Sequence, residues 1–121
     1  MASSSLILIP KYEDFVLYML GVLDKIPRVE KFNIGNALKT KMYDCMEHIV
    51  YLNKISKKER LEYCNKIDAD ICLLRIYIRL MYQKRYIDKR KYEYCMEKIG
   101  EIGRILGGYI KSLGVDYAQM H

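Results

Sequence analysis

Apolar residues recur at intervals of three and four through four stretches of the chain, the spacing that lines side chains along one face of an α-helix. In the first stretch the face is Tyr12, Phe15, Val16, Met19, Leu20, Leu23 and Ile26, with Pro10 suited to its first turn and Pro27 ending it. The second carries Leu38, Met42, Cys45, Ile49 and Leu52, with Asn33 placed to act as N-cap. A third helix, expected over 57–85, begins at the capping-box pattern Ser56-Lys57-Lys58-Glu59 and has an inner seam of Cys64, Ile67, Ile71, Leu74, Ile78 and Met81. The fourth has Asp88 as N-cap and carries Tyr92, Cys95, Ile99, Ile102, Leu106, Tyr109 and Leu113. Short connections between four such helices predict an all-α, up-down-up-down four-helix bundle over residues 10–113. Residues 1–9 read as a flexible lead-in, with Leu6 to Ile9 as a short extended piece, and 114–121 as a frayed tail.

Two features break the simple pattern. On the third helix Ala69, Leu73, Ile76 and Leu80 form a second apolar stripe opposite the inner seam, and a helix apolar on both sides is not completed by burying one of them. That stripe predicts self-association, unless the segment Leu6 to Ile9 folds over it. Within the fourth helix stand Gly100, Gly103, Gly107 and Gly108, each costing about 1 kcal/mol relative to alanine. Gly100, Gly103 and Gly107 share one flank, where a backbone or a bulky aromatic is expected to approach closely. Without a preceding strand, the run is not a phosphate-binding loop.

Composition sharpens this picture. A chain of 121 residues, half of them apolar, makes one domain that needs no disulfides. Cys45, Cys64, Cys72 and Cys95 form no C-x-x-C pair, and Cys45, Cys64 and Cys95 sit at core-facing positions, so they read as buried free thiols. The N-terminus lacks a basic leader, and its apolar run is too short for a signal peptide or a membrane span, which points to the cytoplasm. The net charge of +6 favours an anionic partner. Five bases and one acid lie in the eight residues Lys84-Arg85-Tyr86-Ile87-Asp88-Lys89-Arg90-Lys91, and the bundle topology brings this turn to the same end as Lys25, Arg28 and Lys31. Tyr82, Tyr86, Tyr92 and Tyr94 interleave with those charges, a mixture suited to phosphates and stacked bases as well as to an ordinary solvated rim.

Catalytic chemistry is not indicated. His48 and His121 are the only histidines, and Glu47-His48 lacks the spacing of a zinc motif. Asp68 and Asp70 could suggest a metal, but Asp68 is placed to pair with Arg75, along the helix flank that also carries Arg79, or with a basic residue on a neighbouring helix. The reading is a protein that is not an enzyme and holds no cofactor or metal.

Several motifs resemble the accessory variability determinant (Avd) proteins of diversity-generating retroelements, within the wider four-helix-bundle family that includes proteins encoded in ribosomal RNA intervening sequences. The strongest is Glu101-Ile102-Gly103-Arg104-Ile105-Leu106-Gly107-Gly108-Tyr109-Ile110-Lys111-Ser112, in which Tyr109 replaces the more usual tryptophan. Ile26-Pro27-Arg28, Phe32-Asn33-Ile34-Gly35 and Leu74-Arg75-Ile76-Tyr77-Ile78-Arg79-Leu80 are similar as well, with Lys31 near a position where the family commonly has arginine. The resemblance implies a barrel-like homopentamer with a basic surface. It further implies a non-catalytic accessory subunit that binds the element's reverse transcriptase and template RNA, or a DNA or RNA–DNA hybrid, during mutagenic reverse transcription. The expected binding surface is Arg28, Lys31, Lys84, Arg85, Lys89, Arg90 and Lys91, with Arg75, Arg79 and Arg104 at family-matched positions. The expected oligomer interface is Ala69, Leu73, Ile76 and Leu80. The alternative is a bundle that serves as a protein-interaction scaffold without a nucleic-acid role.

Overall fold

The computed structural model describes residues 2–113, with side chains from residue 7 onward. The segment expected to be a frayed tail, 114–121, lies outside the described residues. The elements are α1 (Ala2–Leu23), α2 (Arg28–Lys31), α3 (Ile34–Leu52), α4 (Lys57–Gln83) and α5 (Lys89–Ser112), and among the described residues there is no strand. Helix α1 packs on α3 and α5, and α4 packs on α3 and α5, which closes an antiparallel four-helix ring with the single turn α2 lying against α3. The inner seams expected for the second and third helices are buried throughout, from Leu38 to Leu52 and from Cys64 to Met81. On α5 the buried set is Cys95, Ile99, Ile102, Leu106, Tyr109 and Ile110, with Tyr92 and Leu113 half-buried at its ends.

The N-terminus departs from expectation. Residues 2–9 continue α1 rather than forming an extended piece, and Pro10 lies inside the helix. An interior proline costs about 3 kcal/mol by removing a backbone bond and crowding the preceding turn. Leu8 offsets this: one turn before Tyr12 on the same face, it is fully buried, and burying a leucine contributes about 1.5–3 kcal/mol. Ile9 packs against this core too and lines a cavity with Tyr12, Glu13, Met46, Ile49 and Val50 between α1 and α3. Ile9 therefore lies along the α1–α3 seam and not over the outer stripe of α4.

Caps and turns follow local chemistry with two corrections. Asp88 caps α5, its Oδ1 accepting from the Lys91 N–H at 2.8 Å. The Ser56 hydroxyl accepts from the Glu59 N–H at 3.4 Å but donates to the Glu59 carboxylate at 3.2 Å, so the box is closed side chain to side chain and not reciprocally through the backbone. Asn33 does not cap α3. Its Nδ2 donates back to the Val29 carbonyl, because the preceding residues have already wound into α2. At the end of α4 the Arg85 N–H bonds the Tyr82 carbonyl and the Tyr86 N–H bonds the Met81 carbonyl, a Schellman closure with Arg85 left-handed at φ 62°.

Candidate nucleic-acid interface

Antiparallel packing of α1 on α5 sets the geometry of the basic end. Going toward that end, Lys11 pairs with Glu101 at 2.8 Å, Asp14 pairs with Lys98, and Tyr18 meets Tyr94 with ring centroids 4.6 Å apart. Lys98 also lies over the Tyr94 ring at 4.9 Å. The Lys98 hydrogen bond holds the Asp14 carboxyl below its usual range, and Lys11 does the same for Glu101. One turn further the complementarity ends. Lys25 on the α1 side and Lys91 on α5 line a single cavity of about 300 Å³ with Leu17, Tyr18, Gly21 and Val22. Lys91 is also a wall of the adjoining space of about 450 Å³ bounded by Tyr18, Asp88, Arg90 and Tyr94, so the two form one cation-rimmed groove with an aromatic floor.

The two basic connections do share this pole. Glu30 of α2 faces the Tyr86 hydroxyl in the α4–α5 turn, and burial together with that carboxylate pushes the tyrosine pKa upward. Tyr82 stacks on Tyr92 at 4.3 Å and 11°, closing the α4–α5 hairpin below the turn. Arg28, Lys31, Lys84, Arg85, Lys89 and Arg90 are exposed and Lys91 is half-buried. Among the described residues none of the seven forms an ion pair, whereas Lys11, Lys41 and Lys98 each do. The acid of the turn, Asp88, has one oxygen committed to the helix cap.

Arg75, Arg79 and Arg104 belong to a different surface, the seam between α4 and α5. Arg79 and Arg104 are exposed and Arg75 is half-buried. Arg104 lies on α5 roughly 22 Å beyond its first residue at 1.5 Å per residue, well away from the pole. The pairing expected between Asp68 and Arg75 is not formed. Asp68 lines a cavity with Gly103, Leu106, Gly107 and Lys111, while the Arg75 guanidinium covers Gly103, with Nη2 3.1 Å from where a Cβ would stand. Close approach to the glycine flank is thus confined to Gly103 and comes from a side chain and not a backbone. A Cβ at Gly107 or Gly108 would meet nothing within 4 Å. The outer stripe of α4 is open as well: Ala69, Ile76 and Leu80 are exposed and Leu73 is half-buried.

Two side chains escaped the reading of the sequence. Asp70, not Asp68, is the buried carboxylate, and it holds His48 Nδ1 at 2.7 Å and Lys41 Nζ at 3.6 Å across the α3–α4 seam. Tyr18 enters the polar groove through its register with Tyr94, a signal that only pairing α1 against α5 residue by residue could have given. The thiols of Cys45, Cys64 and Cys95 are buried, and burial pushes them up to about 12, 11 and 12, while Cys72 is exposed. Among the described residues no group of three or more His, Cys, Asp and Glu could hold a metal ion, and no helix is long and apolar enough to cross a membrane.

A family model described as bAvd-like covers residues 6–113, nearly the whole helical bundle. No curated protein matches the chain. With the match running from α1 to the end of α5, the chain belongs to the bAvd-like family and is an Avd-type protein.

Proposed function

We propose that this protein is the accessory subunit of a diversity-generating retroelement, acting in the cytoplasm, binding the reverse transcriptase and the template RNA, and supporting mutagenic reverse transcription without catalysing it. The observation that carries the nucleic-acid part is the pole where Arg28, Lys31, Lys84, Arg85, Lys89, Arg90 and Lys91 stand without ion-pair partners. Unpaired surface cations displace condensed counterions from a phosphate backbone, so affinity comes from entropy released to the salt. The family match supports the accessory role in general.

Self-association multiplies this pole. The open stripe Ala69, Leu73, Ile76 and Leu80 on α4 needs a counterpart, and the α1–α3 seam offers an apolar groove lined by Ile9, Met46, Ile49 and Val50, with Glu13 at its side. The two surfaces lie on different sides of the bundle. Docking one into the other is heterologous, and with a rotation of about one fifth of a turn between copies it closes into a homopentameric ring, whereas a rotation that does not close gives an open filament. Five copies of a modest basic patch then act together on one RNA, raising avidity without any new contact.

The first test is size-exclusion chromatography with light scattering and two-wavelength absorbance on protein purified at low salt. A mass near that of five chains, with nucleic acid stripped by high salt, is the expected result. The second replaces Lys84, Arg85, Lys89, Arg90 and Lys91 with glutamate. RNA affinity and its salt dependence left unchanged by that variant would overturn the pole as the binding surface. An assembled protein that never retains RNA would be the interaction scaffold instead.

A further inference from the structure

Among the described residues Phe32 is the most exposed of the large apolar side chains, at 76% of its full accessibility, and Val29 one turn before it stands at 70%. Neither belongs to a flexible run. The segment is held by the Glu30 and Lys31 N–H groups bonding the Pro27 carbonyl, by the Asn33 N–H bonding Glu30, and by Gly35, where a Cβ would stand 3.1 Å from both the Glu30 carbonyl oxygen and Ile26 Cδ1. Gly35 therefore lets α3 start directly against the preceding turn. The charges around Phe32 are sorted. Glu30, the one carboxylate of α2, is turned inward against Tyr86, while Arg28 and Lys31 point to solvent with the phenyl ring. A rigid aromatic face flanked by unpaired cations and cleared of acid is the arrangement that stacks an unpaired base while its phosphates run past the bases.

The geometry points to Phe32 as a stacking platform for an unpaired base of single-stranded RNA, with Arg28 and Lys31 holding the phosphates on either side. This rests on the nucleic-acid reading of the pole and adds to it a preference for single strands, which phosphate contacts alone do not supply. A duplex keeps its bases inside the stack and has no face to offer Phe32.

The chain contains no tryptophan, so Phe32→Trp installs a sole indole fluorophore at the platform. Titration with an unstructured RNA oligonucleotide is expected to quench that fluorescence, and titration with a duplex of equal length to leave it unquenched. In parallel, Phe32→Ala lowers affinity for the single strand about tenfold, the loss of one stacked base, and leaves duplex affinity and the salt slope as they were. The exposed position makes a folding defect easy to exclude by circular dichroism. If Phe32→Ala binds the single strand as wild type does, the inference is wrong and the ring serves a protein partner. Equal losses on single strand and duplex overturn it too. A wild-type protein that binds neither form at low salt removes the inference together with the reading beneath it.

Discussion

The Nδ1 of His48 on α3 lies 2.7 Å from Oδ2 of Asp70 on α4, and Lys41 Nζ stands 3.6 Å from the other oxygen. Asp70 is the buried charged residue among those described, at 7% exposure, so its carboxylate depends on these two partners for what water no longer gives it. His48 and Lys41 remain about a quarter exposed, which limits the penalty when they lose it. Asp70→Ala is expected to lower stability by about 1–3 kcal/mol in urea unfolding. Asp70→Asn, which can still accept from the imidazole, loses less. Equal losses for the two variants would show that the charge of the carboxylate, which both remove, and not the hydrogen bond or the side-chain volume, matters at this seam.

Arg85 occupies the left-handed position of the α4 Schellman closure, where glycine is the ordinary choice. An arginine there is strained by about 1 kcal/mol, since its Cβ crowds the following carbonyl. Arg85→Gly should therefore raise the thermal midpoint while weakening RNA binding, because it removes one cation from the pole. Opposite signs in the two measurements mark a residue kept for its side chain. If stability and RNA affinity move together, the strain at Arg85 is not serving the basic surface.

The seams were legible because a helical period writes itself into one face of each segment: from Cys64 to Met81 and from Leu38 to Leu52 the expected residues are buried. What the period does not encode is rotation to the nearest residue on a flank. Asp68 and Asp70 are about 200° apart around α4, at 100° per residue, so one faces α5 and the other α3, and only the neighbours decide which is buried. Pro10 misled for a related reason. Proline is a strong local signal for a helix start, yet Leu8 one turn before Tyr12 extends the buried face through it. The basic end was legible from connection lengths alone. Its groove was not, because Tyr18, Gly21 and Lys25 join Tyr94 and Lys91 through the α1–α5 register, a property of two segments and not of either one.

Acid should loosen that same register. Asp14 and Glu101 have carboxyls held below their ordinary values of 3.8 and 4.5 by Lys98 and Lys11. A carboxylate with a lowered folded-state pKa binds its proton more readily when unfolded, so its contribution is present above the ordinary value and disappears as pH falls through the lowered one. Stability at the α1–α5 seam is expected to drop as pH descends below 4.5, with the remainder lost below 3.8. The double variant Asp14→Asn, Glu101→Gln should flatten that part of the profile of thermal midpoint against pH. An unaltered profile would place the acid sensitivity away from the α1–α5 seam.

Glycines at 107 and 108 lie inside α5 with open space where a side chain would go. Replacing either with alanine should stabilise an isolated chain by about 1 kcal/mol, because alanine loses less backbone freedom on entering a helix and meets no neighbour. Gly103→Ala is a different case, since its Cβ would press on the Arg75 guanidinium at 3.1 Å, and the mobile end of that side chain can give way, leaving the change close to neutral. The pattern separates two reasons for the glycines. If the concave strip around Gly107 receives another copy of the chain, Gly107→Ala will shift the light-scattering mass toward smaller species even as urea unfolding at low concentration shows a more stable monomer. Should the assembled mass and its dissociation on dilution stay unchanged in the stabilised variant, the strip has no packing role between copies, and the contact must rest on the α4 stripe instead.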